Sequence, residues 1–204
     1  MPYAKKKKYT KGKKPAGTKT FNKKVEQVIL KHEAKTVEHK YFDVVTPLTT
    51  LSSTASIFDL SGTTVGTSDI QRIGDNIVPK SLEFNFWLNG ETFSSIVRVV
   101  VFRWMPNSVP AIGNLLHSAE LLSPFVHDLR HLFNVLYDKT IIVANNGNEI
   151  YSSHNSLKMA KKNIEYQLGT SGGANKVYCM FLTDRNLATS CIGRLYSRLN
   201  YIDP

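Results

Sequence analysis

The chain has 204 residues, 42% of them hydrophobic, and carries 26 Lys and Arg against 16 Asp and Glu for a formal net charge of +10. That length suits one domain burying about two thirds of its unfolded surface. No run approaches the about 20 apolar residues that spanning a bilayer takes, and no secretory-type apolar segment stands at the N-terminus, which points to a soluble protein made in the cytosol. Cys179 and Cys191 are too few for a disulfide framework and read as buried, reduced thiols.

The charge is segregated. Lys5, Lys6, Lys7, Lys8, Lys11, Lys13, Lys14, Lys19, Lys23 and Lys24 are ten cations with no acid among them, and the first carboxylate is Glu26. Setting those ten aside leaves 16 cations against 16 acids, so the rest of the chain is formally neutral. Residues 1–20 also hold Pro2, Gly12, Pro15 and Gly17 and almost nothing apolar, which predicts a flexible arm. Lysine meets phosphate as a point charge without reading bases, and each neutralised phosphate releases a counterion. The arm is therefore expected to bind nucleic acid without sequence preference and with steep salt dependence, with Tyr3 and Tyr9 available for base stacking. The run Lys5 to Lys8 with Lys11, Lys13 and Lys14 also has the composition of a nuclear import signal.

From Phe21 the pattern turns helical: Phe21, Val25, Val28, Ile29 and His32 recur at helical spacing and Asn22 can cap, predicting a short amphipathic helix over 22–33. Two fates for it stay open, packing under the body or docking on a neighbouring copy or nucleic acid. The arm is assigned to residues 1–35 and the folded domain to 36–204.

Beyond Thr36 eight strands are expected, at 36–46, 54–60, 80–89, 93–104, 132–143, 155–168, 176–184 and 191–202. The third alternates most clearly, with Leu82, Phe84, Phe86 and Leu88 on one face and Glu83, Asn85 and Trp87 on the other. The fourth is continuously apolar, which suits a strand covered on both sides, with Arg98 and Arg103 needing acceptors. Two long connections, 61–79 and 105–131, interrupt the series; 114–122 is expected to be a short helix, and both connections are expected to carry contacts. Eight strands without alternating helices favour an all-β sandwich or jelly roll. Asn89-Gly90 is a hairpin cue pointing the other way, because a jelly roll sends the third and fourth strands to different sheets.

No catalytic pattern emerges. The stretch Gly12 to Gly17 begins like a phosphate loop, but its lysine is misplaced and no strand precedes it. His127 and His131 lack the glutamate and third ligand of a hydrolytic zinc site. The pairs Asp69 with Asp75 and Asp128 with Asp138 read as turn residues and partners of neighbours such as Arg72 and Lys139. Lys158, Lys161, Lys162, Arg194 and Arg198 read as solvated strand faces or as lining of a common nucleic-acid surface. Neither an enzyme, a metal site nor a cofactor is expected.

The stretch QRIGDNIVPKSLEFNFWL, followed by IVRVVVFRW, resembles the Arg-x-Gly loop and next two strands of capsid proteins from small circular single-stranded DNA viruses that encode a replication initiator. PNSVPAIGNLL, SPF and FNVLYDK are similar to their next loop and strand, and the likeness spans roughly residues 37–202, nearest to the branch whose shells are like that of satellite tobacco necrosis virus. The resemblance implies a single eight-stranded antiparallel jelly roll of two four-stranded sheets. It also implies self-assembly into an icosahedral T=1 shell of about sixty copies with the arm inside, holding single-stranded DNA. Arms of the related circoviruses are arginine-rich, whereas this one is all lysine, which removes bidentate phosphate recognition and leaves bulk neutralisation. Sixty arms would bring about 600 positive charges, suited to a genome on the order of one to two thousand nucleotides. The expected partners are further copies of the chain, single-stranded nucleic acid and host import receptors, with no membrane insertion; the expected locations are the virion and, during assembly, the host nucleus. Two alternatives stay open: a ribosomal-type nucleic-acid-binding module with a basic extension, which the neutral body argues against, and the capsid of a satellite-type RNA virus. DNA rather than RNA rests on the resemblance alone.

Overall fold

The computed structural model describes residues 23–28, 38–90, 94–144, 150–159, 162–184 and 191–203. Residues up to Val37 and from Glu38 onward form separate units. In the first, helix α1 occupies 23–28 with all six residues exposed; the rest of the expected 22–33 helix and the boundary at residue 35 lie outside the described residues.

The second unit is two antiparallel sheets. One is built on β1 (Glu38–Val45), β11 (Ile192–Asp203), β4 (Asn76–Asn89) and β7 (Ile150–Lys158) in that spatial order; the other runs β3 (Ser56–Asp59), β10 (Lys176–Thr183), β5 (Ser95–Trp104), β6 (Phe133–Val143). These eight are the expected strands, and the two sheets interleave in sequence as a jelly roll does. Three short additions bring the first sheet to seven strands: β2 (Thr49–Thr50) on β11, and β8 (Ile164–Tyr166) and β9 (Gly173–Ala174) beyond β4.

The hairpin cue at Asn89-Gly90 is overridden. Residues 81–89 of β4 are hydrogen-bonded to β11 on one side and β7 on the other, so β4 has no edge left for β5, which joins the opposite sheet. The expected strand 155–168 is divided into β7 and β8. Both pair with β4, across Ser81–Asn89 and Asn76–Ile77, and the gap falls opposite Pro79, which has no amide hydrogen to donate. A register shift on the β11 side at the same place marks a bulge. The expected helix 114–122 reduces to α2 (Ile112–Leu115), because Leu116 turns to an extended conformation and bridges Phe125, which buries the adjacent Leu115 and Leu116 together.

The sheets enclose a core in which Leu82, Phe84, Phe86 and Leu88 of β4 meet Val97, Val99 and Val101 of β5 and Leu195 and Leu199 of β11. Phe86 lies at its centre, with Phe84, Tyr137, Tyr151 and Phe181 all within 6.4 Å between ring centroids. The continuous apolarity of β5 has the reason anticipated. Its other face, Val100, Phe102 and Trp104, packs with Tyr178 and Met180 under Leu115, Leu116, Phe125 and Leu129 of the connection between β5 and β6. That connection therefore roofs much of the sheet's outer face, leaving the Ile96 and Ile142 end exposed.

Candidate assembly surfaces and nucleic-acid interface

The connection leading into β4 is pinned at Arg72, whose side chain is fully buried. Its Nη1 donates to the Gly74 carbonyl and, at 2.9 Å, to Asp75 Oδ1; Nη2 donates to the Thr170 carbonyl at 2.6 Å, and the guanidinium lies 4.2 Å from the centroid of the Tyr166 ring. Burial raises the pKa of Tyr166, and its hydroxyl donates to the Ser61 carbonyl at 2.6 Å. A second anchor is Lys40, buried in β1, which donates to the Gln71 carbonyl at 3.0 Å and lies 3.7 Å from Asp203, the carboxylate that in turn accepts from the Ile73 amide at 2.5 Å. Asp75 thus pairs with Arg72, as the residues indicated. The full burial of Arg72 was not legible.

The roofing connection is pinned in the same way. Arg98 forks onto both Asp138 oxygens at 2.9 and 2.7 Å and donates to the carbonyls of Leu121 and Ser123. Asp138 therefore belongs to Arg98, while Lys139 donates to Tyr151 Oη. Arg103 is buried, donates to the Lys162 carbonyl, and has its pKa lowered by desolvation.

Rigidly held connections here present aliphatic side chains to solvent: Ile73 is 61% exposed, Val109 80%, Leu122 88%, and Leu168, in the turn after β8, 87%. Burying even part of such surface against another protein is favourable by about 25 cal/mol per Å².

Among the described residues no group of His, Cys, Asp and Glu is placed to hold a metal. His127 lies 3.7 Å from Asp128 at full exposure, and His131 sits in the 3-10 turn Arg130–Leu132. Cys179 and Cys191 are free and buried, and burial pushes the Cys179 thiol pKa up. Of the arm cations, Lys23 and Lys24 lie on α1 and are exposed; Lys5, Lys6, Lys7, Lys8, Lys11, Lys13, Lys14 and Lys19, like Lys161, lie outside the described residues. Arg194, Arg198 and Lys158 share the outward face of the β1–β11–β4–β7 sheet, whereas Lys162 lies beside Met105.

That outward face is read off the register. Asp43, Arg198, Glu83 and Ser156 form one row across the four strands; Val45, Tyr196, Asn85 and His154 form the next, followed by Arg194, Trp87 and Ser152. Arg198 forks onto Asp43 at 2.8 and 2.7 Å, which raises its pKa, and stacks 4.6 Å from the Tyr41 ring centroid. Arg194 donates to the Thr46 carbonyl and lies 5.2 Å from the Tyr196 ring centroid. The aromatic members were not singled out from sequence, although Trp87 among polar residues on the outward side of β4 was the available signal.

The family model described as "Satellite tobacco necrosis virus coat protein" matches residues 7–203. The chain belongs to that family. It is a viral coat protein, a structural subunit that self-assembles into a shell and a component of the virion. The match takes in most of the lysine arm as well as both sheets. No curated protein matches this coat protein. Among solved structures it is similar to a chain of Desmodium yellow mottle tymovirus, at 8% identity and a TM-score of 0.39, over 82% of this chain and 87% of that one.

Proposed function

We propose that this coat protein packages single-stranded nucleic acid inside a closed icosahedral shell of about sixty copies, with the lysine arm as the condensing element. The observation that carries the reading is the division of charge: ten lysines in the first 24 residues, and a body with 16 cations and 16 acids. A neutral body tiles without accumulating repulsion, while a separate polycation gathers phosphates at any sequence. The pinned connections with exposed Ile73, Val109 and Leu122 supply the inter-subunit surfaces. DNA is the cargo the sequence resemblance favours, and RNA is the other outcome, since lysine meets the same phosphate in both. Lys5, Lys6, Lys7, Lys8, Lys11, Lys13 and Lys14 double as a nuclear import signal.

The test is electron microscopy and nuclease digestion of particles from the full chain and from a chain lacking residues 1–24. Uniform shells holding nuclease-protected nucleic acid only when the arm is present support the reading, with DNase or RNase sensitivity after disruption naming the cargo. Equal cargo without the arm overturns it. For import, residues 1–24 fused to a large reporter should concentrate it in nuclei and lose that ability when Lys5 to Lys8 become alanine.

A further inference from the structure

The geometry points to the outward face of the β1–β11–β4–β7 sheet as a second nucleic-acid site, one that stacks bases of the packaged single strand on Trp87, Tyr196 and the Arg198–Tyr41 pair. This rests on the packaging function proposed above and adds to it a contact of different chemistry, aromatic where the arm is ionic.

Four observations carry it. Much of the corresponding face of the opposite sheet is roofed by the chain's own connection, with Phe102 and Trp104 buried beneath it; among the described residues this face has no such roof, and Tyr41 and Tyr196 are both more than a third exposed. Its composition is the one that holds single strands: aromatic rings and guanidinium groups set among side chains that can both donate and accept, Asn85, His154, Ser152 and Ser81. Two guanidinium groups already stand over rings, Arg194 at 5.2 Å from the Tyr196 centroid and Arg198 at 4.6 Å from that of Tyr41, so cation and ring are paired before any base arrives. Finally, Arg198 forks onto Asp43 and stands opposite Glu83 in the register, and Arg194 and Lys158 bring two further cations to the face.

The layout sets how a strand would lie. Tyr196 forms the wall between two shallow depressions, one lined by Leu48, Trp87 and Arg194, the other by Asp43, Val45, Glu83, Asn85 and Arg198. Tyr196 on β11 and Trp87 on β4 lie on neighbouring strands in adjacent rows, and a base stacked on either ring is held without sequence preference.

Tryptophan emission tests the site in the full-length subunit. Trp87 reports on the face, and Trp104, buried in the opposite sheet, serves as an internal reference. Titrating dissociated subunits with a thymidine oligonucleotide in about 0.5 M salt, where lysine contacts are weakened, should quench the Trp87 share of the emission. Tyr196→Ser should weaken that binding by about tenfold, and Trp87→Phe should abolish the signal. Ultraviolet irradiation of filled shells should leave nucleotide adducts on peptides containing Trp87 and Tyr196. Quenching unchanged by Tyr196→Ser, or adducts confined to residues 1–24 in filled shells, overturns the site while leaving packaging by the arm intact. Protection of this face in empty shells overturns it too, by assigning the face to a neighbouring subunit. Particles that never contain nucleic acid would refute the packaging reading instead, and the titration would still decide the site.

Discussion

Replacing Arg72 by methionine is the sharpest test of how the connection between β3 and β4 is held. Methionine keeps an apolar stem against Tyr166 and removes every donor, leaving the carbonyls of Gly74 and Thr170 and the Asp75 carboxylate without their partner. Removing one member of a buried pair costs about 3–5 kcal/mol. The Asp75 side chain is 38% exposed and water can re-solvate it, so we expect the lower end, about 3 kcal/mol. For a domain of this size that is a drop in Tm of about 6–12 °C. Asp75→Asn, which still offers an oxygen to Nη1, should lose about 1 kcal/mol. The assay is urea unfolding of dissociated subunits followed by tryptophan emission at one fixed protein concentration, because assembly stabilises the fold by mass action. A loss under about 1 kcal/mol for Arg72→Met, or one no larger than that of Asp75→Asn, would refute the clamp.

Other outcomes follow from the same packing. Arg98→Met should release the roof over the β3–β10–β5–β6 sheet, seen as faster amide exchange across 117–129 with the core strands still protected; protection unchanged there would show that apolar contacts alone hold it. Gly173→Ala should destabilise by about 1–3 kcal/mol, since a Cβ would stand 2.0 Å from the Glu165 carbonyl oxygen, and an unchanged urea midpoint contradicts that contact. Burial raises the pKa of Cys179 and Tyr166, so the folded chain keeps protons that the unfolded chain releases at about pH 8.5–10. Stability is therefore full below that window and falls as pH rises through it, by about 1.4 kcal/mol per pH unit per group; a flat urea midpoint from pH 7 to 10.5 speaks against it. Changing Lys5, Lys6, Lys7 and Lys8 to glutamine should lower the salt slope of oligonucleotide binding by about 3, and an unaltered slope would remove these residues from the phosphate contacts.

Strand content and the core face of β4 were legible because alternation of apolar and polar residues is a local property that the pleat converts directly into inside and outside. Continuous apolarity likewise announced that β5 is covered on both faces. Charge segregation needed no structure at all, since it is arithmetic on the chain. What covers β5, what Arg72 reaches beyond its neighbour Asp75, what neutralises Arg98, and why Asn89-Gly90 makes no hairpin are different in kind. Each depends on segments far apart in sequence: Thr170 on Arg72, Asp138 on Arg98, and β7 and β11 occupying both edges of β4 before β5 can. The aromatic and guanidinium face arises in the same way, for Tyr41, Trp87, Tyr196 and Arg198 lie on three strands and share a surface through register alone. Hydrophobic periodicity along the chain decides which side of a strand is buried; only strand pairing decides which side chains become neighbours on the side that is not.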